Sequence, residues 1–387
     1  FEGDLRYRNA FYGVVPLDPF YRATPIDLPQ RFGNRPWFAW SPGQSYARVD
    51  VWNVAAGISN ENLWLGPGLR NSIVMSNAGP GFPHVFLGTS RPQDIWIGNI
   101  EAQVFWGRLR RSRYTPNPTS PLISGLTVDF SPRWIPRLTV GLARVFVQTA
   151  AIRRFIDYLA VLQPFPKAEV EDWSDLPGGD NPDDNQLASL FARWVFPESG
   201  LELYGELARE DHEGDWQGVI REPDHAMAYL LGVQKVWRLG SRWVRAHAEL
   251  THLQELRPID NSRGVPVFYT HGRDLGYTHE GQPLGAWIGP GGDSQTLAVD
   301  VIDERWRIGG FIERVRRNEW YYWTRVEPVR YHAHDAELAL GVRHLMRFSK
   351  LELSWEAAYA YRFNRDFLRD EQNFRAGVEL AVPLDAR

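Results

Sequence analysis

The chain has 387 residues, a formal net charge of −4, no cysteine, and an aromatic complement of 17 Trp, 15 Tyr and 20 Phe. An isoelectric point near 6.2 argues against a nucleic-acid partner, which would call for a basic stripe. The missing thiols remove disulfides, thiolate zinc sites and a cysteine nucleophile. No run approaches the ~18 consecutive apolar residues of a spanning helix.

The chain opens at Phe1 without Met or a targeting run and reads as a mature or trimmed chain. Asp4–Gly13 reads as a strand. Pro16–Pro42, rich in Pro and aromatics, reads as irregular, so residues 1–44 are expected to form an irregular N-terminal segment lying in a lumen or in the periplasm. Residues 45–58 and 70–77 resemble strands. The Gly66-Pro67-Gly68 turn and Asn71, Ser72, Ser76 and Asn77 form a small-polar block followed by Gly79-Pro80-Gly81; this predicts a strand bent into the interior, since strands tolerate Gly mainly at bulges and close approaches.

From residue 94 onward period two dominates, with apolar and polar residues alternating as on half-buried strands. In 94–108 the even positions are Trp96, Gly98, Ile100, Ala102, Val104 and Trp106, against Asn99, Glu101 and Gln103. Further strands are predicted at 122–131, 137–148, 186–197, 200–211, 226–238, 241–254, 296–303, 305–317, 334–346, 350–362 and 372–384. The gaps between these strands are alternately short and long, and 363–371 is of medium length. A soluble sandwich also shows the residue alternation, but only an up-and-down barrel in an outer membrane requires the alternating gaps, with short periplasmic turns at one end and long extracellular loops at the other.

The predicted fold is therefore all-β: a transmembrane antiparallel up-and-down β-barrel of about 16–18 strands, 1–387 forming a single domain. In such a barrel the apolar face meets lipid and the polar face lines the lumen. Glu202, Glu206, Arg245, Glu249, Arg305, Arg307, Asp335 and Glu337 are expected to point inward. Met227, Tyr229, Leu231, Val233, Lys235 and Trp237 are expected to point outward, Lys235 snorkelling toward headgroups. The mixed sign of the inward charges fits a lumen plugged by ion pairs better than a selective pore.

Three blocks resemble the capsule assembly Wzi family. The first runs Glu61-Asn62-Leu63-Trp64-Leu65-Gly66-Pro67-Gly68, then Asn71-Ser72, Met75-Ser76-Asn77-Ala78 and Gly81-Phe82-Pro83. The second comprises Pro197-Glu198-Ser199-Gly200, Glu202-Leu203-Tyr204-Gly205-Glu206, Arg209-Glu210-Asp211-His212 and Glu222-Pro223-Asp224-His225. The third is Tyr277-Thr278-His279-Glu280-Gly281 with Leu284-Gly285-Ala286 and Ile288-Gly289-Pro290. The resemblance implies a monomeric outer-membrane barrel with a blocked lumen, acting as a surface lectin for capsular polysaccharide. The chain departs from familiar members in lacking a clear helical segment ahead of the barrel.

Sugar recognition needs aromatic faces for C–H surfaces and polar groups for hydroxyls. The long loops supply both: Trp173 and Trp216; Tyr269, His271, Arg273, Tyr277, His279, Glu280 and Trp287; and Trp320, Tyr322, Trp323 and Arg325. Ala151–Leu162 has helical apolar spacing and is read as a lid or constriction. The acidic stretch Glu169–Asp184 lacks the spacing of a calcium loop and reads as solvated. No nucleophile, base and orienting group share one membrane level, and no His pair has helical ligand spacing, so no enzyme, metal or cofactor is expected. The expected function is a lectin-like barrel in the outer membrane of a Gram-negative bacterium. Its expected partners are outer-membrane lipid, lipopolysaccharide and an extracellular polysaccharide. A porin-like channel for small sugars or anions, and a scaffold barrel of an envelope complex, are the alternatives.

Overall fold

The computed structural model describes residues 4–8, 37–41, 43–111, 120–148, 161–162, 184–210, 220, 226–253, 268–271, 275–319, 322–326, 332–349, 351–365 and 367–382. In chain order the strands begin with β1 (Asp4–Arg8), β2 (Trp37–Ser41), β3 (Tyr46–Val51), β4 (Val54–Ser59), β5 (His84–Thr89), β6 (Gln93–Ile95) and β7 (Gly98–Arg108). There follow β8 (Leu122–Pro132), β9 (Leu138–Gln148), β10 (Asp184–Phe196), β11 (Leu201–Glu210), β12 (Met227–Leu239) and β13 (Arg242–His252). Four dipeptide strands come next: β14 (Thr270–His271), β15 (Leu275–Gly276), β16 (Thr278–His279) and β17 (Gln282–Pro283). The last are β18 (Asp293–Ile302), β19 (Trp306–Arg317), β20 (Asp335–Arg347), β21 (Glu352–Arg365) and β22 (Arg369–Ala381).

One 16-stranded antiparallel sheet runs as a meander from β3 to β22, with β6 as a side branch on β7, β14–β17 standing apart, and β1 and β2 forming a separate pair. The connections at one end are short, as at 52–53, 133–137, 197–200, 240–241 and 303–305; those at the other are mostly long, as at 60–83, 149–183 and 253–292. This is the wall of an up-and-down outer-membrane barrel.

The wall alternates as its sequence requires. On β11, Leu203 and Leu207 are exposed while Glu202, Tyr204, Glu206 and Glu210 are buried. In water that arrangement would be inverted; in lipid it places the apolar stripe against acyl chains. At the short-turn end Trp52, Trp96, Trp134, Trp194, Trp237 and Phe348 are exposed, the interfacial girdle such a wall carries. Inward aromatics lie flat over a glycine of the neighbouring strand. Phe105, Phe191, Tyr204 and Phe311 are the cross-strand partners of Gly125, Gly141, Gly232 and Gly341. A Cβ at Gly232 would sit 2.0 Å from the Tyr204 ring, and one at Gly341 2.2 Å from Phe311.

The structure corrects several expectations. Residues 94–108 are not one strand: Trp96–Ile97 is the turn between β6 and β7, with Trp96 77% exposed. Gly98 makes it possible, at φ 155° and with Ser131 O only 2.2 Å from where a Cβ would stand. The strand at 45–58 is a hairpin turning at Trp52–Asn53, and β5 was not anticipated. Residues 70–77 are not a strand; apart from a single bridge between Leu65 and Met75 they are irregular, because their N–H groups bond wall carboxylates instead of a ladder. The medium gap at 363–371 shrinks to a turn at 366–368, and β2 lies inside the stretch expected to be irregular. Arg305 sits exposed in the turn before β19 rather than in the lumen. The predicted helix at 151–162 lies outside the described residues but for its last two.

Two irregular segments fill the lumen beside the wall: 60–83, between β4 and β5, and 268–292, between β13 and β18. Ile73, Val74, Met75, Phe82, Phe268, Tyr269, Tyr277, Leu284 and Ile288 join wall residues such as Phe105, Tyr204 and Leu230 in one buried cluster. The hydrophobic core thus lies inside the barrel, away from lipid.

Candidate functional site

The plug is held by buried acids on the wall. Glu249 on β13 accepts hydrogen bonds from the backbone N–H groups of Leu69 (2.6 Å), Arg70 (3.0 Å) and Asn71 (2.8 Å), and from the Tyr204 hydroxyl (3.0 Å). Glu206 accepts from Ile73 N–H at 3.0 Å, and Glu210 from Tyr269 N–H. Irregular backbone buried at membrane depth must find such partners. Arg70 forms a two-point pair with Glu313 at 2.8 and 3.0 Å, and the Asn71 amide donates to Thr251 and Ser294.

Lower in the lumen Asp300 is fully buried and accepts from both Arg245 (2.7 Å) and Arg343 (2.8 Å), while Arg193 and Glu202 form a second two-point pair. Near the long-loop end Arg362 bonds Asp335. Of the inward charges expected from sequence, Glu202, Arg245 and Asp335 are paired with opposite charges, as the mixed sign predicts, while Glu206 and Glu249 take up backbone N–H groups of the plug. Close planar pairing of this kind offsets the desolvation that an isolated buried charge would suffer.

The loop residues expected to meet a ligand divide by burial. Tyr269 and Tyr277 are fully buried, stack at 5.6 Å between centroids, and donate from their hydroxyls to Ile73 O (2.6 Å) and Val74 O (2.8 Å). Burial holds both phenols well above their ordinary pKa, hence neutral donors. Neither presents a ring face outward; they staple the two plug segments together. His279 is also fully buried, its Nδ1 accepting from Arg110 N–H at 3.0 Å. Burial first, and the Arg110 charge second, push its imidazole down to about 3. Trp287 lies under two guanidiniums, Arg70 at 5.5 Å and Arg317 at 5.0 Å, a cation–π stack that fixes it in the plug.

Two groups reach the long-loop surface. Glu280, at φ 50° in the β16–β17 turn, pairs with Arg110 at 2.6 Å, with side-chain exposures of 35% and 58%. Beyond β19, Tyr322 opens a π-helical turn, and its ring meets His334 at 3.8 Å and Trp323 edge-on at 4.9 Å. His334 Nδ1 lies 2.8 Å from Glu319. Burial raises the Glu319 carboxyl above its ordinary value, opposed by Arg316 and His334. Trp323 is half-buried, and Tyr322 is buried beneath it with its hydroxyl accepting from His332 N–H. The side chains of His271 and Arg325, and Trp173, Trp216, Arg273 and Trp320 entirely, lie outside the described residues. Among the described residues no group of three or more His, Asp or Glu could hold a metal ion. Sequence reasoning missed Arg110 and Glu319 as members of these groups; their loop positions carried no periodic signal.

The model of a family described as capsule assembly protein Wzi matches residues 42–357. Among solved structures the chain is similar to Wzi, an outer membrane protein involved in group 1 capsule assembly in Escherichia coli and a carbohydrate-binding β-barrel. The TM-score is 0.64 at 19% identity, covering 89% of this chain and 71% of that one. Pseudomonas aeruginosa OccK7 gives a TM-score of 0.43 at 11% identity, covering 90% and 81%. No curated protein matches the sequence.

Proposed function

The chain belongs to the capsule assembly Wzi family, and from that premise we propose that this outer-membrane barrel is a lectin, binding surface polysaccharide through its long extracellular loops and anchoring it to the cell. The occupied lumen carries this reading. Segments 60–83 and 268–292 fill the barrel interior and are tied to it by Glu206, Glu210, Glu249 and Glu313, which leaves the loops as the working surface. The carbohydrate binding stated for the Escherichia coli relative supports the same reading.

The loop chemistry suits a glycan. A half-buried indole such as Trp323 offers a face for sugar C–H groups, while the Arg110–Glu280 pair offers fixed donors and acceptors for hydroxyls and acidic substituents. Trp173, Trp216, Arg273, Trp320 and Arg325 are proposed to extend this surface. The proposed role is binding without bond cleavage: among the described residues His334 and Glu319 form a His–carboxylate pair within hydrogen-bonding distance, packed against Tyr322 and Trp323. The barrel is proposed to act as a monomer.

A channel is the second reading. It draws on the exposed inward faces of β3 and β22, where Arg48, Asp50, Arg375 and Glu379 are exposed. Conductance in a planar bilayer separates the two: the lectin reading expects a silent bilayer together with polysaccharide retention on the immobilised barrel that W323A and E280Q weaken. Steady single-channel openings with no polysaccharide retained would reverse it.

A further inference from the structure

Among the described residues the lipid-facing wall is dented across β8–β12. On β10 and β11 the outward positions at mid-height are Ala192 and Gly205, which are cross-strand partners. Larger outward side chains surround them: Phe130, Leu142, Leu190, Leu207, Tyr229 and Leu231. Two minimal side chains set among bulky ones leave an apolar recess of about 880 Å³ open to the membrane. A smooth belt would serve bulk lipid equally well; a recess of this size favours particular acyl chains that stay in place.

The wall directly above the recess carries an arginine. One outward position beyond Leu207 on the same strand stands Arg209, about 7 Å higher by strand rise. Its Nε is buried against the wall without a hydrogen-bond partner among the described residues, so the terminal nitrogens are the part left to meet a headgroup. Beside it the Tyr229 ring packs on His252 at 4.9 Å, both facing outward. This edge lies toward the long loops, hence at the outer leaflet. A lipid-facing arginine is most costly at the bilayer midplane and tolerated near the headgroups. Apolar pocket and guanidinium are therefore stacked in the order of a lipid's chains and its head.

We propose that the outer wall of β8–β12 is a specific lipid site, holding the acyl chains of one outer-leaflet lipid in the Ala192–Gly205 recess and its phosphorylated head on Arg209. The lipid class that fits is an anionic, multi-acyl glycolipid, and the site lies on the opposite side of the wall from the plug. Arg314 on β19 also faces outward, three strands further round the wall from Tyr229, and is bound to Asp293 and Gln295; it serves as an off-site control.

The test is native mass spectrometry of the full chain in detergent with bisphosphorylated lipid A, its dephosphorylated form, or inorganic phosphate, folding being checked by heat-modifiable gel migration. One bound bisphosphorylated lipid is expected, with A192W lowering its retention about tenfold by filling the recess and R209A comparably by removing the headgroup contact. R314A should leave it unchanged, and inorganic phosphate should not bind. A192L provides a milder filling variant should A192W fail to fold. Equal retention of the phosphorylated and dephosphorylated lipids, or undiminished retention in the folded filling variant, would overturn the proposal.

Discussion

Glu249 shows what one side chain can hold. Its carboxylate accepts three backbone N–H groups of the plug and the Tyr204 hydroxyl. An amide in its place would remove the charge from these bonds, at about 2 kcal/mol or more. E249Q is expected to keep the wall but to expose 60–83 to limited proteolysis at a lower temperature than the native chain. The inward direction of Glu249 is legible from period two; its plug partners are not, since they lie 178–180 residues away and present only backbone. His279 gives the pH dependence. Its folded pKa, about 3, is below the ordinary 6.5, so its contribution to stability is present above pH 6.5 and is lost as pH falls toward 3. Protonating Nδ1 also breaks the bond from Arg110 N–H. Melting on acidification should therefore be steeper in the native chain than in H279N, as followed by tryptophan fluorescence. Tyr269, Tyr277 and His279, chosen from sequence by residue chemistry alone, owe their type to this packing.

Among the elements, the recurring unit is an inward aromatic seated on a cross-strand glycine. The pairs Phe105–Gly125, Phe191–Gly141, Tyr204–Gly232 and Phe311–Gly341 place rings where a neighbouring Cβ would collide, at 2.2 Å from the first, second and fourth of these rings. The ring covers a backbone that a glycine leaves bare and pins strand register. G341A should cost about 1–3 kcal/mol by overpacking, seen as a lower temperature of heat-modifiable migration. G377A is the control, because nothing lies within 4 Å of its added methyl. Strand positions were legible to within a few residues because alternation is strict on the wall. Turns were less so: Trp96–Ile97 hides inside an alternating run, since the girdle also demands aromatics there. Residues 70–77 are apolar enough to read as a strand, yet they spend their N–H groups on Glu249 and Glu206.

For the whole molecule, the alternation of short and long gaps identified the barrel where residue alternation alone left a sandwich open. The signal exists because all short turns must share one membrane face. The occupied lumen was anticipated from mixed charge, and the Gly66–Gly81 segment from its expected bend into the interior, though as a strand; 268–292 was not, having given only loop chemistry. The exposed inner faces of β3 and β22 make a prediction at this scale. Mixed-sign pairs such as Arg48–Asp50 at 2.7 Å are partly exposed to solvent, so any leak current should pass along this side. D50K should alter its ion selectivity, whereas D300N, deep in the Arg245–Arg343 cluster, should instead lower thermal stability by leaving two guanidiniums facing a neutral amide.

The stapling of 60–83 to 268–292 also dictates an order of assembly. Tyr269 reaches Ile73 and Tyr277 reaches Val74 across 196 and 203 residues, so these bonds cannot close until the intervening wall strands β5–β13 have been made. Contacts of such long sequence separation form slowly. The lumen is therefore expected to stay wet until these two segments meet, which makes its dehydration a slow, late step of assembly.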